Sequence, residues 1–174
     1  GSPLPAGQTC PDDVADGLDL LFAHPNIAPF ISRQLIQRFT TSSPSPAYIQ
    51  RVAQKFNNNG FGERGDLSAV IRQILLDPDA RNAPTANSGK PREPLLKLTA
   101  LWRAWGAQMP VADAYCNIAM GMTSPTGTFG QRPLGADTVF NFFEPDYQQP
   151  GAIANAGLFS PEFQTLNEST VVSP

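Results

Sequence analysis

The chain has 174 residues, with 12 Lys and Arg against 15 Asp and Glu for a net charge of −3, so it lacks the electrostatic footprint of a nucleic-acid or anionic-membrane binder. Hydrophobic residues make up 41% and charged residues only 16%, and 18 Pro and 14 Gly help fill the difference, which implies a folded protein with long ordered loops. No apolar run approaches the roughly 18 residues of a membrane span, and two cysteines with a single histidine exclude a zinc site of the usual Cys/His kind.

The opening Gly1-Ser2 reads as a cleavage scar. Residues 1–9 are expected to be a flexible lead-in, and 10–174 a single helical domain belonging to a longer protein. From Asp12 to Ala23, Val14, Leu18, Leu21 and Phe22 recur at helical spacing, and His24-Pro25-Asn26 stops that helix. Asn26 is placed to cap a second helix over Ile27–Thr40, with Ile27, Phe30, Ile31, Leu35 and Phe39 on its apolar side and Ile36 widening the stripe. Ser45-Pro46 combines a capping hydroxyl with a proline at the first helical position, which loses no helical hydrogen bond there. The third helix therefore runs over Pro46–Phe56, burying Ile49, Val52, Ala53 and Phe56. After Gly65, Asp66 is placed to cap a fourth helix to Leu76, with Leu67, Val70, Ile71, Ile74 and Leu75 as its stripe, stopped by Asp77-Pro78.

Residues 79–91 carry Pro, Asn, Gly and Ser without a period and read as a loop. A fifth helix over Arg92–Trp105 carries Trp102 and Trp105, which make it the expected heaviest contributor to the core. Val111 to Met122 reads as another helix, Ala136 to Phe143 as a short one, and Ser160-Pro161 as the start of a last helix through Glu168. No paired alternating runs face each other across a hairpin turn, so the fold class is all-α: a compact multi-helix domain with Pro/Gly-rich loops in its last third.

Few residues offer chemistry. His24 sits at a helix end, where an imidazole commonly bonds to backbone, and no G-x-S-x-G elbow exists to make it part of a nucleophilic triad. The string Gly60-Phe61-Gly62-Glu63-Arg64-Gly65 matches a dinucleotide fingerprint in letters only, because it follows a helix instead of a strand. Asp77 and Asp79 flank Pro78, and Glu144 and Asp146 flank Pro145; helix stop and loop tethering through an arginine partner is the favoured reading of both pairs over calcium or glycoside chemistry. Cys10 and Cys116 are either two buried thiols or one disulfide, which would close a loop of about 105 residues. Arg33, Arg38, Arg64 and Arg92 are expected to be structural ties in a chain rich in loop carbonyls. The aromatic and acidic run Phe140-Asn141-Phe142-Phe143-Glu144-Pro145-Asp146-Tyr147 is either a binding platform or an anchor. We expect Phe140 and Phe143 to pack against Trp102 and Trp105, with Phe142 or Tyr147 partly exposed. No metal site and no cofactor are expected.

Several blocks together resemble one family. They are Leu21-Phe22-Ala23-His24-Pro25, Ala28 to Phe39, Ser43 to Tyr48, Arg64-Gly65-Asp66-Leu67, Ile74 to Pro78, Arg92-Glu93-Pro94-Leu95, Val139 to Phe143, Pro145-Asp146-Tyr147 and Pro161-Glu162-Phe163-Gln164. Over nearly all of residues 18–168 they are similar, in this order, to the C-terminal part of the bacterial domain-of-unknown-function family DUF1800. That resemblance implies no transferable activity. It implies a longer protein whose N-terminal part is a partner of this one, and an exported, extracytoplasmic setting in which a disulfide is permissible.

Two function classes follow. One is a non-catalytic binding or assembly module that recognises polysaccharide or another exported protein. The other is a piece of a hydrolase-like or carbohydrate-active enzyme completed by the N-terminal part. The candidate ligand-binding residues are Phe142, Asp146, Tyr147, Glu162, Arg33 and Arg92. Convergence of the polar ones in an open cleft would favour the enzyme, and pairing inside the fold would favour the module.

Overall fold

The computed structural model describes residues 5–85, 87–107, 129–132, 134–136 and 138–166. The described residues form helices and turns with no strand, so the fold is all-α; the one strand-like feature is an isolated bridge between Thr138 and Asn141. No described helix is long and apolar enough to cross a membrane. The chain divides into two compact units, residues 1–83 and 84–174.

In the first unit, α1 (Cys10–Ala23) begins two residues before the expected start, because Pro11 fits the first turn and Asp12 and Asp13 complement the helix dipole there. It buries none of its residues, and Val14, Leu18, Leu21 and Phe22 all remain exposed to at least 44%. The expected stripe exists, but it does not face the core. α2 (Ile27–Phe39) follows a tight turn in which the Ile27 N–H donates to the His24 carbonyl. Asn26 does not cap with its side chain; its own N–H donates to His24 Nδ1 at 3.1 Å, so the imidazole shapes the turn. The buried face of α2 is Ala28, Ser32 and Ile36 at four-residue spacing, together with Gln37. That rotates the face away from Phe30 and Phe39, which are about half exposed, and makes Ile36 its centre.

α3 (Pro46–Asn57) and α4 (Leu67–Leu76) start where their caps place them. Ser45 Oγ accepts the Tyr48 N–H at 3.1 Å, and Asp66 Oδ1 accepts the Ala69 N–H at 3.1 Å. Three helices then share a core of Ala28, Ile36, Tyr48, Val52, Ala53, Phe56, Val70 and Ile74, with Ile27, Ile31, Leu35 and Ile49 packed against it. Tyr48 is its largest fully buried side chain, and it is accommodated because its hydroxyl donates to the Ile74 carbonyl at 2.6 Å and meets Thr40 Oγ1 at 3.2 Å. Leu67 and Leu75, counted in the expected stripe of α4, stay about half exposed, since only Val70 and Ile74 point between α2 and α3. Asp77-Pro78 stops α4 and also opens a single turn, α5 (Pro78–Arg81), within what the sequence reads as loop.

Ser45 also donates to Asp79 Oδ2 at 2.7 Å, so one hydroxyl caps α3 and holds the turn after α4. Ser45→Ala should therefore lower stability by about 1–2 kcal/mol, the upper half of the usual range for a lost cap, in urea unfolding followed by circular dichroism. A Ser45→Ala protein as stable as the parent would show that neither bond matters.

The loop after α3 fastens α1 to this core. Arg64 donates to the carbonyls of Phe22 at 3.1 Å and His24 at 3.3 Å and to Asn57 Oδ1, and its guanidinium lies 5.5 and 5.2 Å from the ring centroids of Phe22 and Phe56. Phe22 and Phe56 are themselves in tilted ring contact at 5.9 Å. Gly65 crosses beneath with φ +81° while its N–H donates to the Phe56 carbonyl, and a Cβ there would lie 2.5 Å from the Phe22 ring.

In the second unit, α6 (Pro94–Ala104) is two residues later at its start and one shorter at its end than the expected Arg92–Trp105. Its tryptophans do not build a core: Trp105 is 80% exposed, Trp102 is half-buried, and Pro94 is its one buried residue. Where a short helix over Ala136–Phe143 is expected, the described residues 138–143 form a series of turns, with Asn141 at positive φ and its N–H closing back on the Thr138 carbonyl. A left-handed residue inside that run breaks a helix, and this is why Phe140 and Phe143 do not share a helical face. Phe143 is buried and Phe140 half-buried. The expected partnership of both with Trp105 fails because that indole faces outward.

After a single helical turn at Ala152–Asn155, Ser160-Pro161 opens a 3₁₀ turn, Pro161–Gln164, in place of the expected last helix. Ser160 Oγ is not a cap; it accepts the Gln149 N–H at 2.8 Å. The expected helix at Val111 to Met122, Cys116, and the end of the last helix at Glu168 lie outside the described residues.

Candidate functional site

Two clusters of charged groups stand out, one in each unit. In the first, Asp77 is fully buried at the junction of α4 and α5. Its carboxylate takes Arg51 Nη2 at 2.6 Å and the Asp79 N–H at 3.0 Å on Oδ1, and Arg51 Nε at 2.8 Å and Gln73 Nε2 at 3.0 Å on Oδ2. Four donors fill the four lone-pair sites of a carboxylate, so no acceptor position is left for a substrate or a cation. Arg51 also reaches Asp79 Oδ1 at 3.1 Å and lies 5.9 Å from the centre of the Tyr48 ring.

Burial pushes the Asp77 carboxyl up, but the Arg51 fork, the Asp79 N–H and Gln73 together outweigh it and hold the group below the usual carboxylate range. The bond to Asp77 in turn holds Arg51 above its already high value. Burial likewise raises the Tyr48 phenol, only partly offset by the Thr40 hydrogen bond. The group is a permanent ion pair and not a poised acid or base. The Asp77–Pro78–Asp79 spacing shows in the sequence as a helix stop; Arg51, 26 positions away, has no local signal that could have linked it to Asp77.

In the second unit, Glu162 is fully buried in the 3₁₀ turn, and its Oε1 is 2.6 Å from Lys90 Nζ. The segment from Glu144 to Gln149 is pinned by backbone and side chains alike. The Glu144 N–H donates to Gln164 Oε1 at 2.5 Å, the Ser160 N–H to the Tyr147 carbonyl at 2.8 Å, and the Tyr147 hydroxyl to Gln149 Oε1 at 2.9 Å. Gln131, itself buried, donates to Glu93 Oε2 at 2.6 Å.

The fold treats the six sequence candidates differently. Glu162 is paired inside the fold. Phe142 and Tyr147 are half-buried, so with Phe140 and Phe143 they form no exposed row of rings. Asp146 and Arg92 are exposed. Arg33 belongs to the first unit and is half-buried, as is Arg38, and neither is free of partners. Of the arginines expected to be ties, Arg64 is the clearest, bridging three oxygens. Cys10 opens α1 as an exposed free thiol, while Cys116 lies outside the described residues.

The glycine-rich string from Gly60 to Gly65 is no phosphate cradle either. Asn58 Oδ1 already accepts the N–H groups of Gly60 and Gly62, and Asn59 Oδ1 those of Phe61 and Glu63, at 2.8–3.3 Å. Asn59 Nδ2 in turn bonds Glu63 and Asp66, and that contact, with the Ala69 N–H, holds the Asp66 carboxyl low. Among the described residues no three His, Cys, Asp or Glu side chains are grouped to hold a metal.

No curated protein and no solved structure matches the chain. The family model described as "Protein of unknown function (DUF1800)" does match it, over residues 3–173, and the chain belongs to that family.

Proposed function

We propose that this protein is a non-catalytic assembly module that binds a protein partner, in the exported bacterial setting that the family resemblance implies. The observation that carries this reading is the state of its buried acids. Asp77 accepts four hydrogen bonds, and Glu162 is buried in an ion pair with Lys90, so both acids are engaged inside the fold. Charged groups spent on holding turns together leave the surface to do the work, and large apolar side chains remain outside on α1, α2, α4 and α6 and in the loops at Phe61, Leu134 and Val139. A protein partner is favoured over polysaccharide, because Phe142 and Tyr147 lack the exposed, aligned faces on which a sugar ring stacks.

A panel of chromogenic glycosides, esters and phosphoesters tests it with the full chain. No turnover above background is expected, and Asp146→Asn and Arg92→Ala should behave as the parent does. Turnover that drops a hundredfold in either variant at unchanged melting temperature would establish the enzyme reading instead.

A further inference from the structure

α1 and α6 have complementary surfaces. Every charged residue of α1 is acidic: Asp12, Asp13, Asp16 and Asp19, and no Lys or Arg occurs in the chain before Arg33. Val14, Leu18 and Leu21 fall within one turn-to-turn stripe of that helix and are 56%, 61% and 64% exposed. Asp13 and Asp19, both exposed, lie to either side of the stripe. α6 has the opposite sign: its charges are Lys97 and Arg103, with no acid between Pro94 and Ala104. Lys97, Leu101 and Trp105 recur at four-residue spacing along one side, with Leu101 53% and Trp105 80% exposed.

We infer that copies of this chain associate head to tail, with α1 of one copy seated on α6 of a second copy. This deepens the assembly reading and rests on it for its biological sense. Like charge on paired α1 helices, or on paired α6 helices, opposes the symmetric alternatives, whereas α1 against α6 brings an acidic helix, with Asp13 and Asp19 beside its stripe, to a basic one with Lys97 on its stripe, and covers the apolar side chains of both. A heterologous contact of this kind extends into rings or filaments instead of stopping at a dimer. A single helix pair covers less than a standard interface of roughly 1,600 Å², so the association is of the weak, concentration-dependent kind.

Sedimentation velocity of the full chain from about 1 to 300 μM, at low salt, reads it out. The weight-average sedimentation coefficient should rise with concentration, and Leu18→Ala with Leu21→Ala, which keep the helix propensity of α1, should weaken association at least tenfold while leaving the thermal unfolding midpoint unchanged. Two charge-swapped proteins complete the test: one carries Asp13→Lys and Asp19→Lys, the other Lys97→Glu and Arg103→Glu. Each should lose association alone, and an equimolar mixture should regain it. A parent that stays monomeric, a mixture that stays monomeric, or undiminished association of the Lys97→Glu, Arg103→Glu protein, which would mean α1 pairs with α1, overturns the inference. Those outcomes leave the assembly reading in place, because that reading falls on turnover and not on self-association.

Discussion

Replacing Arg51 by alanine should destabilise the first unit by about 2–4 kcal/mol and reverse the way its stability responds to acid. The cost comes from the partner left behind: Asp77 has no solvent exposure, so it would keep its charge without the forked donor, or give up the charge. The figure sits at the lower part of the range for a broken buried pair because the Arg51 side chain is itself 38% exposed and part of its attraction is screened. In the parent, the folded Asp77 carboxyl lies below its unfolded value of about 3.9. Its contribution is therefore fully present above about pH 4 and is lost as pH falls through the lower folded value. Without Arg51, burial becomes the dominant influence and the folded carboxyl rises above 3.9. The variant should then gain stability as pH is lowered from 7 toward 4, over a range where this group leaves the parent unchanged. Urea midpoints at pH 7, 5 and 4 decide it, and a variant that follows the parent's pH profile would show that Asp77 is not governed by Arg51.

Gly65→Ala should cost about 2–4 kcal/mol, more than any other glycine replacement in the loop after α3. Two effects add. At φ +81° an L-residue is strained by about 1 kcal/mol or more, and the new methyl meets the Phe22 ring at 2.5 Å, which adds an overpacking cost of about 1–3 kcal/mol. Gly62→Ala separates them, since Gly62 has φ +89° but nothing within 4 Å of its Cβ position. It should show the backbone cost alone, about 1 kcal/mol. Phe22→Leu in the Gly65→Ala background should recover part of the loss by giving the methyl room. Equal costs at Gly62 and Gly65 in thermal unfolding would mean that the Phe22 contact has no energetic consequence.

These residues also show what could be read in advance. α3 and α4 are legible because a capping side chain, a start signal and an apolar period coincide at Ser45-Pro46 and at Asp66, and the helices begin there. Tyr48 escapes such a reading: it counts as polar in a stripe, and its place at the centre of the core depends on a carbonyl of α4 that receives its hydroxyl. Trp102 and Trp105 mislead in the other direction, because side-chain size predicts how much area could be buried and not whether a neighbour is there to bury it. The turn series around Asn141 defeats periodicity altogether, since one left-handed residue cancels a helix that Phe140 and Phe143 suggest by spacing. Among the candidate site residues, chemistry drew attention to Glu162, but only three-dimensional pairing shows Lys90, 72 positions earlier, closing it off.

The attachment of α1 has a consequence for energy distribution along the chain. The helix buries nothing, and Arg64, Phe22 and the turn at His24 grip only its last residues. A 14-residue helix is close to the length at which an isolated helix is marginal in water. Residues 10–21 therefore form a segment that can melt and re-form while α2, α3 and α4 stay folded, a local equilibrium nested inside the global one. Any body that settles on Val14, Leu18 and Leu21 draws on that equilibrium: part of its binding free energy goes into completing the helix, and the helix in turn becomes a reporter of occupancy. The long helix of the first unit that buries no residue is thus the one whose order a neighbour can tip.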